Sequence, residues 1–176
     1  MFVFVSVFSI GLVFSKRQLS VLKGIERAEK HLGNILLDIK NEHLTTAEIF
    51  NKICTEEDFE TKEFFSLISP EKLNDTSKIA YQCGFIKNKT AADIFGEAFS
   101  VLGKYSVEDQ EKEIEFCRNK LNFLYKKSED EIKKMKEAGH INYMTHQYLK
   151  SLIKPGITTK YLNDEADKFI RSHGGV

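Results

Sequence analysis

Thiols at Cys54, Cys83 and Cys117 and imidazoles at His140, His146 and His173 are the side chains best suited to metal ligation, redox exchange or nucleophilic attack. Their spacing does not assemble that chemistry. The cysteines are odd in number, widely separated and contain no C-x-x-C pair, so neither a disulfide framework nor a tetrahedral zinc site is indicated. His140 and His146 lie six residues apart with no H-E-x-x-H pattern, which gives no metal pair on one helical face. His173, just before Gly174, reads as a positive group at a helix C-terminus. Each cysteine is expected to be a small buried apolar residue, the soluble part to sit in a reduced compartment, and each histidine to be a surface or packing residue. The expected catalytic, cofactor-binding and metal-binding sets are all none.

Composition narrows the function classes further. Lys plus Arg and Asp plus Glu number 26 each, so no global field recruits nucleic acid or an acidic partner. Two prolines, ten glycines and no tryptophan, beside abundant Glu, Lys, Leu, Ile and Phe, fit an all-α chain with almost no sheet. At 176 residues there is room for one domain of ordinary size and an appendage.

The clearest local design runs from Leu102 to Lys126. Gly103 closes what precedes, and Ser106 with Asp109 supplies a hydroxyl N-cap and a first-turn acid where orphan N–H groups and the helix dipole favour them. Ile114, Cys117, Leu121 and Leu124 then recur at helical spacing and share one face. Glu108 and Lys112 are placed to pair across one turn.

Residues 1 to 15 carry no charge and, after the initiator, ten Phe, Val, Ile or Leu residues. At about −0.3 to −0.6 kcal/mol each, these favour membrane insertion by roughly 3 to 6 kcal/mol. Fifteen residues at about 1.5 Å rise reach about 22 Å, short of a hydrocarbon core of about 30 Å. An anchor here must thin the bilayer, let Lys16 and Arg17 snorkel, or be preceded by further residues. A signal peptide fits less well, because there is no basic n-region and no A-x-A-like site, and a buried core helix is the other alternative. Lys16 and Arg17 place the following chain on the cytoplasmic side.

Beyond the anchor, Leu22, Ile25, Leu32, Ile35, Leu36 and Ile39 trace a core-facing helical stripe up to about Asn41. Thr45 and Glu48 form a capping box that starts the next helix. Thr55 to Ile68 turns from acidic to apolar, with Phe59, Phe64, Phe65, Leu67 and Ile68, and Ser69-Pro70-Glu71 reads as an N-cap with Pro at the first helical position. Asn74 to Thr90 is expected to be helical, although its alternation imitates a strand. Thr90 and Asp93 start a helix from Ala91 to Leu102 that ends at an αL glycine, Gly103.

The run Leu102-Gly103-Lys104-Tyr105-Ser106-Val107-Glu108-Asp109-Gln110, with the amphipathic helix after it, resembles the signature near the end of the soluble region of stage III sporulation protein AB. The resemblance covers roughly residues 1 to 126. It implies an N-terminal membrane anchor, a cytosolic helical bundle similar to that of type II secretion platform proteins, and a second hydrophobic segment at the C-terminus. It further implies membership of a secretion-like apparatus between mother cell and forespore. The soluble domain would face the mother-cell cytoplasm, and the partners would be other components of that apparatus, an ATPase among them.

After Lys126 the pattern breaks, because no uncharged run of 18 residues follows. Instead Ser128-Glu129-Asp130-Glu131-Ile132, Met135-Lys136-Glu137-Ala138-Gly139, Lys154-Pro155-Gly156-Ile157-Thr158-Thr159 and Phe169-Ile170 through Gly174-Gly175-Val176 resemble the opening of type I methionine aminopeptidases. That family's metal ligands lie in the half of the fold that follows this segment, so no catalytic residue carries over to this chain.

Physically the tail reads as two helices. Ile132, Met135, Ile141, Met144, Leu149 and Leu152 lie inside, Glu129–Lys133 and Asp130–Lys134 pair, Thr158 or Thr159 caps the second helix, and Gly174-Gly175 ends it. Ser128 can cap the first helix, or the preceding helix can run on through it from 107 to 153. The expected division is an anchor at 1–15, a sporulation-type helical domain at 16–126 and a two-helix appendage at 127–176. A join of two unrelated reading frames is expected over a working fusion.

Overall fold

Residues Phe2–Leu37 form one unbroken helix, α1, which closes in a π-helical turn at Asp38–Glu42. The computed structural model describes residues 2–55, 59–69 and 73–175, with side chains from residue 15 onward. After α1 come α2 (Thr46–Cys54), α3 (Phe59–Leu67), a 3₁₀ turn at Leu73–Asp75, α4 (Thr76–Gln82), α5 (Lys89–Ser100), α6 (Val107–Leu152) and α7 (Thr159–Ser172). Among the described residues every regular element is helical, so the chain is all-α. It divides into two compact units, Met1–Glu129 and Asp130–Val176.

The first unit is held by an aromatic core. Phe64, Phe65, Phe85, Phe95 and Phe99 are all essentially fully buried. Phe64 stacks on Phe85 with centroids 4.3 Å apart, and Phe50 meets Phe65 and Phe99 edge-on. Burying each such side chain contributes about 1.5–3 kcal/mol, and the offset and edge geometries add to it. α1 supplies Ile25, Leu32 and Ile35 to this core, and α6 supplies Ile114, Cys117 and Leu121. Both stripes follow from helical spacing in the sequence.

α6 returns along α1 in the opposite direction. Arg118 donates from Nε and Nη2 to one oxygen of Glu29, with its guanidinium laid over Gly33. One turn nearer the start of α1, Tyr125 feels Glu26, and burial first, then Glu26 and Glu129, push its phenol up. The loop between α4 and α5 is fixed to the same stretch of α1. Arg27 donates to the Phe85 carbonyl at 3.2 Å and lies over the Phe85 ring.

The second unit is a helical hairpin made from the rest of α6 and α7. The Tyr148 ring stacks on Phe169 at 4.8 Å, and its hydroxyl donates to Glu165. Thr158 caps α7 by accepting from the Tyr161 N–H, and Gly174, at φ 83°, ends it. No described residue of α7 is buried.

Several expectations need correction. α5 begins at Lys89, not Ala91, because Asn88 rather than Thr90 accepts from a first-turn N–H, that of Ala91. Ser128 lies inside α6 and caps nothing, so the continuous alternative holds. Lys112 lies 3.9 Å from Asp109 instead of pairing with Glu108. Neither Glu129–Lys133 nor Asp130–Lys134 is among the ion pairs of the described residues; the helical pairs that close in the tail are Lys168–Glu165 and Arg171–Asp167 of α7.

Phe59 and Leu67 point outward, because α3 turns only the Thr61, Phe64 and Phe65 side to the core. In the tail Ile132 is buried but Met135 is exposed, while Ile141, Met144, Leu149 and Leu152 are half-buried. A two-helix hairpin has no second layer to cover them. The Pro70 start falls outside the described residues. Among those residues no helix is long and apolar enough to cross a membrane, and the side chains of the expected anchor up to residue 14 lie outside them.

Candidate functional site

The loop from Gly103 to Ser106 and the turn from Asp38 to Thr46 meet at one corner of the first unit. Gly103, at φ 71°, approaches α2 so closely that an added Cβ would lie 2.8 Å from Thr46 Oγ1. Buried Gln110 holds the loop from α6: its Oε1 accepts from the Gly103 N–H at 3.0 Å, and its Nε2 donates to the Tyr105 carbonyl at 2.8 Å. Ser106 caps α6, accepting from the Asp109 N–H at 3.2 Å and donating to the Asp109 carboxylate at 2.9 Å.

Across the corner the Thr45–Glu48 capping box is complete. The Glu48 carboxylate accepts from both the backbone N–H and the hydroxyl of Thr45, and these bonds hold its pKa below the usual carboxylate value. Asp38, buried in the π-helical turn, pairs with Lys52 of α2, which also reaches Glu42. Ile39, His43, Leu44, Ile49, Val107 and Gln110 line a cleft of about 250 Å³ between these loops. The Thr45 hydroxyl in its wall is held by the Glu48 carboxylate as part of the helix cap, so the corner offers shape and backbone polarity.

Cys117 stands in the one cluster of potential metal-ligand atoms found among the described residues, with Glu97 and Glu113, all within 4.8 Å of one another. The cluster is a helix seam. Glu97 is committed to Lys120 at 2.9 Å, and the thiol is turned toward Glu113. Burial, and next the Glu113 charge, push the Cys117 thiol up to about 12, so it is a neutral packing group at physiological pH. Cys83 is half-buried, and Cys54, expected to be buried, is exposed at the end of α2, off the face made by Ile49, Phe50 and Ile53.

In the second unit His140 and His173 line one open hollow of about 530 Å³, with Lys136, Ile141 and Met144, and His140, His146 and His173 are all exposed. Sequence spacing indicates no pairing of His140 with His146, and the hairpin instead brings His140 and His173 to one hollow. His173 itself caps α7, its Nδ1 donating to the Phe169 carbonyl at 2.8 Å. What the sequence did not flag is the buried, loop-holding role of Gln110, quoted only as the last residue of the Leu102–Gln110 run, and Asp38 altogether. Both are polar residues on otherwise apolar faces, and that mismatch was the available signal.

A family model for stage III sporulation protein AB matches residues 1–140, which include the whole of this loop corner. The chain belongs to that family. The match runs past Lys126, where the resemblance in the sequence had stopped, and takes in the first part of the tail.

Short stretches are also similar to methionine aminopeptidases. Methionine aminopeptidase 1 of Bacillus subtilis is 50% identical over 42 residues, 24% of this chain and 17% of that protein. Methionine aminopeptidase A of Synechocystis is 43% identical over 49 residues, 28% of this chain and 19% of that protein. A methionine aminopeptidase sequence of Geobacillus stearothermophilus is 49% identical over 47 residues, 27% of this chain and 92% of that sequence. The chain thus spans under a fifth of the length of the Bacillus subtilis and Synechocystis enzymes. No solved structure matches.

Proposed function

We propose that this sporulation-family chain is a membrane-anchored helical assembly component of a secretion-like apparatus between mother cell and forespore. The apolar run 1–15 is its anchor. The first unit is a cytosolic scaffold on the mother-cell side, of the kind type II secretion platform proteins use, and it receives other components of the apparatus, including an ATPase. The observation that carries the reading is the family match over residues 1–140, joined to a corner where loops are fixed by backbone-directed bonds. Such a corner presents a constant surface to a partner, which is what an assembly component requires.

Membrane fractions from sporulating cells, washed with carbonate, test the anchor. Retention of the chain is expected, and its release into the supernatant would remove this reading. Cross-linking from the Gly103–Gln110 corner to other apparatus components tests the scaffold role.

A second reading, an aminopeptidase removing initiator Met, rests only on the short similarities. The 176-residue chain is expected to release no methionine from a Met-Ala-Ser peptide with cobalt or manganese. Measurable turnover would establish the enzyme instead.

A further inference from the structure

Within the first unit α6 turns one side to the core and the other to solvent. Ile114, Cys117 and Leu121 are fully buried, and Arg118 reaches Glu29 of α1. On the opposite side Phe116 is 54% exposed and Phe123 is 70% exposed, so this face is open in the folded chain. The two rings are seven residues apart, which puts them about 10 Å apart along the helix and within about 20° of one line. Exposed Asn119 and half-buried Lys120 lie between them. The Lys120 ammonium sits over the Phe116 ring at 4.4 Å and is held by Glu97 at 2.9 Å, so the cation at the middle of the stripe is already balanced.

Charge changes sign across this stripe. From Glu108 to Glu115, the carboxylates of Glu108, Asp109, Glu111, Glu113 and Glu115 stand against Lys112 alone. From Phe116 to Lys127 there is no carboxylate, and Arg118, Lys120, Lys126 and Lys127 are positive. Glu115, Lys126 and Lys127 are exposed, and Glu113 is half-buried. A face with acid before its aromatic centre and base after it is complementary to the same face turned end for end. With two copies antiparallel and the two-fold axis level with Asn119 and Lys120, each Phe116 comes level with Phe123 of the other copy. The same register sets Glu115 level with Lys126 and Glu113 level with Lys127, each pair on one side of the seam. A parallel pairing would instead set acid on acid and base on base.

We propose that the first unit pairs with a second copy of this chain through this outer face of α6, in an antiparallel contact about a two-fold axis. The inference goes beyond the assembly reading and depends neither on it nor on residues 1–15. The Phe116 and Phe123 rings supply the attraction, as aromatic side chains do at the centre of an interface. The change of charge along the helix fixes the direction, since electrostatic complementarity gives orientation more than affinity.

The test uses the full chain in mild detergent, sedimented over a range of concentrations. A reversible dimer is expected. Phe116→Ser with Phe123→Ser, both at exposed positions, should raise its Kd at least about tenfold with the helical circular dichroism unchanged. A chain that stays monomeric overturns the proposal. So does a dimer that the double variant leaves intact, which is what pairing through residues 1–15 would give.

Direction is read separately. Glu115→Lys and Lys126→Glu, each at an exposed position, should each weaken the dimer several-fold, and the two together should restore it. Failure of the combined variant to recover overturns the proposal. Isotopically heavy and light chains, mixed and treated with a carbodiimide, should give links between copies from Glu115 to Lys126 and from Glu113 to Lys127. Links from Glu115 of one copy to Lys112 of the other, in their place, would show a parallel pairing and overturn it as well.

Discussion

Gly96 of α5 lies against Ser77 of α4 so tightly that a methyl group on Gly96 would sit 2.6 Å from the Ser77 Cβ and 2.9 Å from its backbone nitrogen. Ser77 is also tied across the seam by a hydrogen bond to Asp93 at 2.5 Å. The contact is with main chain and a short side chain, neither of which can move aside alone.

Gly96→Ala should therefore destabilise the first unit by about 1–3 kcal/mol, the usual cost of forcing extra volume into a packed seam, despite the gain in helix propensity. Urea unfolding followed by circular dichroism measures it. A variant as stable as the parent would show that the α4–α5 seam is looser than these distances require.

Gln110→Leu keeps the bulk of the side chain but leaves the Gly103 N–H and the Tyr105 carbonyl without their partner. Each lost bond costs about 0.5–1.5 kcal/mol, so a loss of about 1–3 kcal/mol is expected. Amide exchange at Gly103 should speed up while exchange at the centre of α5 changes little. Unaltered exchange at Gly103 would mean the loop is held by something else.

Thr45→Ala removes the hydroxyl from the capping box and should cost about 1 kcal/mol. The pH behaviour has a definite sign. Glu48 is held below its unfolded value of 4.5 by Thr45, so its contribution is complete above that value and is lost as the pH falls through the lowered one. Acid titration of stability should thus be shallower in Glu48→Gln than in the parent. Equal acid slopes would mean the cap bonds are not formed in solution.

Cys117 titrates in the opposite sense. Its thiol has an ordinary value of 9.0 and is raised to about 12 in the fold, so between those values the unfolded chain has lost a proton that the folded chain retains. Stability should fall as the pH rises through that window, and the fall should be smaller in Cys117→Ala. Iodoacetamide at neutral pH should modify exposed Cys54 in the native protein and leave buried Cys117 unmodified until unfolding. Prompt labelling of Cys117 would contradict the packing of α6.

What the sequence made legible was local. Ile114, Cys117 and Leu121 were placed on one face by their spacing alone, and Thr45 with Glu48 named a cap that the structure contains. Periodicity says that a face is buried but not what covers it. Phe59 and Leu67 count as apolar in any window, yet α3 turns them to solvent. The buried Asp38 depends on Lys52 from another helix, and Gln110 on a loop it follows, so neither role exists until the chain folds. The hollow shared by His140 and His173 has the same origin.

α1 runs from Phe2 to Leu37 without a break, so the apolar run and the core stripe share a single helical phase. One residue inserted between Ser15 and Lys23 would turn the Ile25–Leu32–Ile35 face by about 100° about the axis and advance it by about 1.5 Å, whereas seven would bring it nearly back into register. Whatever grips the first 15 residues therefore also sets the compass bearing of the Gly103–Gln110 corner. A ladder of insertions at this position, scored by sporulation efficiency, would rise and fall with the helical repeat rather than with added length.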